Sequence, residues 1–417
     1  MKQAAIVLAL CAGLTAMAGE NGEKPEKVTP VLKPDPKITA ILDSLGDCSS
    51  ANLPPIKTVG EWNETSKRYG MQRTGPVGRD FCVKAVWAPE RKRALYCGGN
   101  HGSPHRLNDC WEYDLPSNTW AMLFAPDPNK PRGKNWQEWA RKTAAVKDGV
   151  VMSRNGGPLD TWHTWWQVTY DPGMKALIWA NPKSVEDKVP DVLGLSEAEK
   201  AKLYKGHPFW LFYPEEKRWK PLKTEPPYPT AKVGGAQAME YVPELGGPVF
   251  YAANWFAQGM WVYNPKTNSW KDLKANGGQN LYHNKVTPRS ETIMAWDPEN
   301  KVLVGVWQTV TYHYELAKNE WSKVIDEPKE STDVPYGHDA RSPIGYDPVG
   351  KAVVLYDPRT PGHIWTHDVK EKKWTRNALK GPPGPKGKLI GYFDPARNVM
   401  VVDHSGKIWV CRYRRKR

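Results

Sequence analysis

Charged and imidazole side chains recur at one position of the sequence, eight residues before the central residue of a repeated Asp-Pro motif or its variant. Arginine and lysine brought together there would bind a carboxylate or sulfate, arginine in a bidentate manner. The alternative is a water-filled channel in which these charges pair with one another. In chain order the six positions hold Asp80, His163, Gly234, Arg289, Asp339 and Lys386, with Arg79, Trp162, Glu291, His338, Arg341 and Lys388 as neighbours.

Histidine and tyrosine in the same regions could carry acid–base chemistry. His163, together with the adjacent pair Tyr282 and His283, could abstract a proton next to a uronate carboxylate while an arginine neutralises that carboxylate. This is the chemistry of a polysaccharide lyase. His101 and His105 are weak metal candidates, because no dense ligand spacing accompanies them, so we predict no metal site and leave the cofactor unknown.

Several tryptophans fall outside the repeated motifs, and their rings could stack on sugars. Trp162 and Trp255 are the candidates for stacking on a bound sugar. The alternative is that such rings pack the long loops onto the body of the protein. The other tryptophans of this group are Trp136, Trp139, Trp165, Trp166 and Trp307.

Two landmarks recur six times along the chain and define the elements that must position these residues. The first is an aromatic residue, then Asp-Pro or a variant, a few turn residues and an apolar strand. Its copies are Trp87-Ala88-Pro89, Tyr170-Asp171-Pro172, Tyr241-Val242-Pro243, Trp296-Asp297-Pro298, Tyr346-Asp347-Pro348 and Phe393-Asp394-Pro395. The second is an aromatic strand, a polar turn and a tryptophan, namely Trp120, Trp219, Trp270, Trp321 and Trp374, and the last copy lacks it.

Each repeat therefore predicts four short strands, a to d, in one antiparallel sheet that cannot bury both faces alone. Stacking six such blades around an axis buries the faces, and the landmark aromatic rings fill the wedges between blades. The fold class is all-β, a six-bladed β-propeller closed by an N-terminal strand. We expect residues 55–59 to supply the outer strand of the sixth blade. Closure would bring Cys48 near Cys411, and Cys97 and Cys110 on adjacent strands form a second disulfide candidate.

The pattern resembles the kelch-repeat family, which includes the central domain of galactose oxidase. The residues that carry the resemblance are Leu95-Tyr96-Cys97-Gly98-Gly99, Asn108-Asp109-Cys110-Trp111-Glu112-Tyr113-Asp114 and Asn118-Thr119-Trp120. Asp80-Phe81-Cys82 is similar to the strand that bears the cross-linked cysteine of galactose oxidase. His163 stands where that resemblance would place the partner tyrosine, and Pro288-Arg289 where it would place a Tyr-His pair, so we do not expect copper.

The chain begins with features of an exported protein. Lys2, an apolar run from Ala4 to Leu14 and the small residues up to Ala18 predict a signal peptide over residues 1–18. A lipoprotein would use Cys11, but Leu10 is too bulky for a good lipidation motif. A Lys/Pro-rich linker with one short helix near residues 38–45 is expected over 19–53, and the propeller over 54–417.

The composition indicates which classes of partner the protein could bind. The formal net charge of +14 favours an anionic partner, although it also serves solubility. No other stretch is long and apolar enough for a membrane span, and a secreted or periplasmic protein rarely meets nucleic acid. We therefore predict an exported propeller that binds an acidic polysaccharide or another anionic envelope ligand on its long-loop face. The alternatives are an enzyme on that face, a lyase or a galactose oxidase-like oxidoreductase, and a protein-interaction scaffold. The sequence gives no oligomeric state.

Overall fold

The structure is a computed structural model of the 417-residue chain. It describes residues 32–99, 106–128, 135–161, 164–180, 188–204, 209–224, 237–253, 258–278, 286–288, 291–338 and 341–416. The predicted signal peptide lies outside these residues. None of the described helices is long and apolar enough to cross a membrane.

Six antiparallel sheets hold the strands a to d of the predicted blades. Blade 1 contains Val86–Ala88, Arg93–Cys97, Cys110–Asp114 and Thr119–Phe124; blade 2 contains Val168–Asp171, Ala176–Trp179, Phe209–Tyr213 and Arg218–Leu222. Blade 3 contains Gln237–Val242, Gly247–Ala253, Gln258–Asn264 and Ser269–Asp272; blade 4 contains Ile293–Asp297, Val302–Trp307, Val310–Glu315 and Glu320–Asp326. Blade 5 contains Ile344–Asp347, Ala352–Leu355, His363–Asp368 and Lys373–Ala378; blade 6 contains Ile390–Asp394, Val399–His404 and Lys407–Arg412.

The remaining elements precede blade 1 or lie between blades. Helix α1 (Pro36–Ser44), strand β1 (Ser49–Asn52) and strand β2 (Lys57–Gly60) come first. The short helix expected near residues 38–45 is therefore present. The other described α-helices are Glu64–Arg68, Met71–Thr74, Trp136–Thr143, Val189–Val192 and Glu197–Lys200. A hairpin of Ala144–Lys147 and Val150–Ser153 follows the helix Trp136–Thr143.

The strands a form a closed ring. Strand a of each blade lies against strand a of the next blade, and strand a of blade 6 returns to that of blade 1. This arrangement confirms the predicted six-bladed β-propeller and places strand a next to the axis. The long segments between blades therefore end at the axis, immediately before each strand a.

The Asp-Pro landmarks have a local cause. Asp171 accepts backbone hydrogen bonds from Gly173 and Met174 at 2.7 and 3.0 Å, so its carboxylate closes the a–b turn. Asp347 does the same for Val349 and Gly350, both at 2.8 Å. The residue that ends each such turn has a positive φ, for example Lys175, Lys301, Lys351 and Asn398.

The landmark tryptophans of strand d pack between blades, as predicted. Trp120 of blade 1 donates its indole N–H to Asp403 of blade 6 at 2.8 Å, and Trp374 of blade 5 donates to Thr311 of blade 4 at 2.8 Å. Asn319, two residues before the Trp321 landmark, has a positive φ and accepts a hydrogen bond from Tyr314 at 2.7 Å. The polar turn thus fixes where the following tryptophan enters the core.

The strand that closes the ring is not the predicted one. β1 pairs antiparallel with Lys407–Arg412 of blade 6, whereas β2, which covers most of residues 55–59, pairs parallel with strand d of blade 1 as a fifth strand. The amide N–H of Lys57 donates to the carbonyl of Asn118, which holds β2 on blade 1. α1 and β1 lie within residues 19–53, so part of the predicted linker forms the closure.

The two predicted disulfides are absent, since the structure has free thiols at all four positions. Cys97 and Cys110 are direct cross-strand partners, but burial raises the pKa of both thiols and disfavours the thiolate that disulfide exchange requires. Cys411 lies opposite Ser50 rather than Cys48. Cys48 has a positive φ and its thiol points to the carbonyl of Tyr413 at 3.7 Å.

A buried histidine pair joins blades 4 and 5 and predicts acid sensitivity. The Nε2 atoms of His313 and His367 are 2.8 Å apart, and burial lowers the pKa of His313 to about 4 and that of His367 to about 3. The unfolded chain therefore takes up protons below about pH 6.5 that the folded chain binds only near pH 4. Stability falls as the pH falls through this window, on the order of 1 kcal/mol per pH unit for each imidazole.

Denaturant unfolding between pH 7 and pH 4.5 measures this slope. We expect the H313Q/H367Q variant to show a shallower loss of stability on acidification than the parent chain. Comparison with the variant is needed because burial raises the pKa of Asp403 to about 7, which contributes a slope of opposite sign. Parallel pH profiles for the two proteins would contradict the prediction.

Candidate functional site

Three of the described segments, which precede strand a of blades 1, 5 and 6, lie at the end of the axis where the long segments enter strand a. Arg359, from the b–c loop of blade 5, joins them through its contact with the Tyr336 ring. We call this region the long-loop mouth and define it by Asp80, Phe81, Tyr336, His338, Arg341, Arg359, Lys386 and Lys388.

An aromatic cluster lies at the centre of the long-loop mouth. The rings of Tyr336 and His338 are stacked, with centroids 6.0 Å apart and an interplanar angle of 11°. The ring of Phe81, from blade 1, lies 5.8 Å from that of His338, from blade 5. All three side chains are half-buried, so each keeps part of its surface open. Partly open rings of this kind can stack on the apolar face of a sugar.

The Tyr336 segment is held rigidly. Gly337 and Gln308 exchange two backbone hydrogen bonds of 2.8 Å, and a Cβ on Gly337 would lie 2.5 Å from a methyl group of Val306. The amide N–H of Tyr336 donates to the buried carboxylate of Asp357 at 2.9 Å. The aromatic pair is therefore positioned before any ligand arrives, which lowers the entropy cost of binding.

Four cationic side chains lie on the segments of the long-loop mouth, and two of them form ion pairs. Lys388 forms an ion pair with Asp80 at 3.1 Å. The guanidinium of Arg359 pairs with Asp357 at 3.0 Å and lies 4.7 Å from the Tyr336 ring centroid.

The other two cations, Arg341 and Lys386, are exposed. Neither forms an ion pair with any residue that the structure describes. Lys386 follows Pro385, whose carbonyl accepts a hydrogen bond from Tyr356 at 2.7 Å, so the loop that carries it is anchored. Arg341 thus presents an exposed positive charge close to the aromatic pair, and Lys386 adds an exposed cation on the segment before strand a of blade 6.

Nearby charged groups act on the pKa of the Tyr336 phenol. Burial raises the pKa of its phenol, whereas Arg359 and Arg341 act to lower it and Glu291 acts to raise it. The phenol is therefore protonated at neutral pH and can donate a hydrogen bond. Glu291, at a positive φ, is the nearby acidic group that would face an anionic ligand.

The structure places Arg79 in the interior and not at the mouth. Its side chain is fully buried, donates to both carboxylate oxygens of Asp109 at 2.6 and 2.9 Å, and donates to the carbonyl of Gly98. Burial alone would lower the pKa of this guanidinium, but Asp109 raises it, so the group stays charged. Arg79 has no surface with which to contact a ligand, and Asp80 is committed to Lys388.

Side chains cross the central channel below the mouth. Lys84 of blade 1 reaches blade 3, where its ammonium donates to the carbonyl of Met239 at 2.7 Å and to Glu240 at 2.6 Å. Trp166 of blade 2 reaches blade 4 and donates to the carbonyl of Met294 at 3.0 Å, and the Lys84 ammonium lies 4.9 Å from a Trp166 ring centroid. These contacts join blades that are not neighbours, so Lys84 and Trp166 form a plug across the axis.

Several predicted site residues lie outside the described residues. They are His101, His105, Trp162, His163, Trp255, Tyr282, His283, Arg289 and Asp339. Of the predicted contacts that are described, His338 and Arg341 both lie close to Tyr336, and Lys386 lies on the segment before strand a of blade 6. Among the described residues, no three His, Cys, Asp or Glu side chains are grouped as metal ligands.

Sequence reasoning missed Tyr336 and Arg359. Counting eight residues back from each Asp-Pro motif selects one position per repeat and its neighbours, among them His338 but not Tyr336, which lies two residues earlier. The aromatic-x-histidine spacing of Tyr336 and His338 is the feature of the sequence that could have indicated Tyr336. Trp139, Trp165 and Trp166 are buried, so for them the packing alternative is the correct one.

Comparisons with known proteins give similarity of fold at low identity. No family model and no curated protein matches the chain. Among solved structures, an auxiliary nutrient binding protein from Bacteroides thetaiotaomicron is 11% identical with a TM-score of 0.46, covering 87% of this chain and 76% of that one. A structural genomics protein of unknown function from the same organism is 7% identical with a TM-score of 0.49, covering 87% and 76%. The extracellular domain of a hybrid two-component system from that organism is 9% identical with a TM-score of 0.40, covering 89% of this chain and 44% of that one.

The resemblance to kelch repeats stays a prediction from the sequence motifs.

Proposed function

We propose that this chain is an exported β-propeller that binds an acidic saccharide at the long-loop mouth. The observation that carries the proposal is the stacked pair of Tyr336 and His338 close to the exposed cation Arg341, with the exposed Lys386 on the segment before strand a of blade 6. The rings offer apolar faces for a sugar ring, and the cations offer charge-assisted hydrogen bonds to its carboxylate. His163, Arg289 and Trp162, which precede other strands a, are proposed as further contacts.

A second candidate function is a polysaccharide lyase at the same mouth. Tyr336 supplies a protonated phenol, His338 an imidazole and Arg341 a guanidinium within one short segment. A lyase needs a base to abstract a proton next to a uronate carboxylate, an acid for the leaving oxygen and a cation on the carboxylate. Ultraviolet absorbance of an unsaturated product that disappears in His338→Ala would establish this activity.

The binding test compares tetragalacturonate with its fully methyl-esterified form, which has the same sugar rings without charge. We expect saturable binding of the acidic form that weakens as salt is raised, because the interaction is largely electrostatic. The R341A/K386A variant should bind about tenfold more weakly, since charge-assisted hydrogen bonds are lost. Isothermal titration calorimetry measures both effects.

A matched control removes the same charge from the opposite face. Lys266 and Lys370 are exposed lysines in c–d turns, so K266A/K370A lowers the net charge equally. We expect this control to bind as the parent chain does. Equal weakening in both double variants, or equal binding of the methyl ester, would contradict the proposed site.

A further inference from the structure

A cavity lies on the axis, on the side of the plug of Lys84 and Trp166 that faces away from the long-loop mouth. Its volume is ≈ 280 Å³, and residues from all six blades line it. Pro89, Pro172 and Pro395 at its rim follow strand a, so the cavity opens between the a–b turns. We call it the turn-face pocket.

The floor of the turn-face pocket is a charge pair. Lys84 and Glu240 line the cavity, and their side chains are 8% and 21% exposed. Among the described residues, Oε2 of Glu240 accepts the bond from Lys84 while Oε1 accepts none. The floor is therefore neutral overall but keeps one carboxylate oxygen as an acceptor and one ammonium hydrogen as a donor.

The walls are the aromatic residues of the Asp-Pro landmarks. Five of the six repeated positions line the cavity, namely Trp87, Tyr170, Tyr241, Tyr346 and Phe393. Trp87, Tyr241 and Tyr346 are half-buried, so they keep surface open to the pocket. Packing between blades therefore leaves part of the surface of these three rings uncovered. The Trp87 ring is further fixed by stacking on Tyr392 at 6.1 Å and 14°.

Aromatic walls with a neutral polar floor select a particular ligand chemistry. An anion would face the Glu240 carboxylate, and a cation would face the Lys84 ammonium, so a charged ligand gains little from the pair. A neutral sugar has C–H faces that stack on the rings and hydroxyl groups that both donate and accept. The volume lies just below the range of about 300–1,000 Å³ typical of larger ligands, which suits a single ring.

We propose that the turn-face pocket binds a neutral sugar ring, either a free monosaccharide or the end of a glycan. The plug of Lys84 and Trp166 separates this pocket from the long-loop mouth. The two sites therefore act independently, one for an acidic and one for a neutral saccharide.

The test titrates the full chain with glucose, galactose, mannose and xylose, following tryptophan fluorescence and saturation-transfer NMR. We expect millimolar, saturable binding of at least one of these sugars that does not change with salt, since no net charge is involved. Y346A removes a wall ring and E240Q removes the charged acceptor. Each should weaken binding by about tenfold.

Y336A at the long-loop mouth is the matched aromatic control and should leave neutral sugar binding unchanged. Conversely, Y346A should leave tetragalacturonate binding unchanged, so failure of one site is distinguishable from failure of the other. Thermal unfolding of each variant establishes that it is folded. If Y346A does not fold, E240Q still tests the pocket. No saturable binding of any of the four sugars, or loss of binding in Y336A rather than in Y346A and E240Q, would overturn the proposal.

Discussion

A chain that begins at residue 54 is expected to lose most of the stability of one that begins at residue 32. The shorter chain retains every blade strand of the predicted propeller but lacks α1 and β1. Removing them exposes the partners of Ile38, Leu42, Leu45 and Leu53, each 9% exposed or less. At about 1.5–3 kcal/mol for each side chain, the loss approaches the whole stability of a typical domain.

The deletion also removes two of the four carbonyl acceptors of the buried Arg412 guanidinium, and those of Asn398 and Arg397 remain. The Arg412 guanidinium donates to the carbonyls of Leu42 at 3.0 Å and of Leu45 at 2.5 Å, near the end of α1. Denaturant unfolding of the two chains measures the difference. A chain from residue 54 with an unchanged midpoint would contradict the closure by β1.

Two point variants separate α1 from the rest of the deletion. Leu42→Ala in the full chain should cost about 2–5 kcal/mol, because it empties a buried site. Lys37→Ala, on the exposed face of the same helix, should change stability by less than about 0.5 kcal/mol.

Replacing Arg79 by methionine is expected to destabilise the propeller by about 3–5 kcal/mol. Asp109 would remain fully buried with the indole N–H of Trp111, at 2.6 Å, as its remaining side-chain donor. The carbonyl of Gly98 would lose a donor as well. Chemical unfolding measures the loss, and the double variant R79M/D109L should recover much of it because no unpaired charge remains.

The Arg79 result also separates a structural arginine from a ligand-binding one. Arg341→Ala should leave stability unchanged and weaken acidic saccharide binding, since its side chain is exposed. If R79M unfolded like the parent chain, the buried ion pair would not have the role assigned to it here.

The blades could be predicted because their signals are local. Asp171 and Asp347 cap turns through their own backbone neighbours, and a tryptophan two residues after a positive φ enters the core. Such features depend on a few adjacent residues, and each recurs in most of the six repeats. The order of the strands within a blade follows from them.

The closure and the site could not be predicted in the same way, because their partners are distant in sequence. β1 has no alternating apolar pattern, and it is defined by pairing with Lys407–Arg412 at the other end of the chain. Arg79 and Arg341 both precede a strand a, yet within the described part of the chain Arg79 meets a carboxylate, on Asp109, and Arg341 forms no ion pair. The landmark aromatic rings were assigned to packing, and no local signal shows that five of them line a cavity.

Amide hydrogen exchange with and without saturating tetragalacturonate locates the bound saccharide on the propeller. We expect slower exchange in residues 78–83, 334–338, 341–342 and 384–389, which carry most of the long-loop mouth, and no change in the a–b turns. Protection in the a–b turns around the turn-face pocket instead, or no protection at the long-loop mouth, would contradict the proposed function.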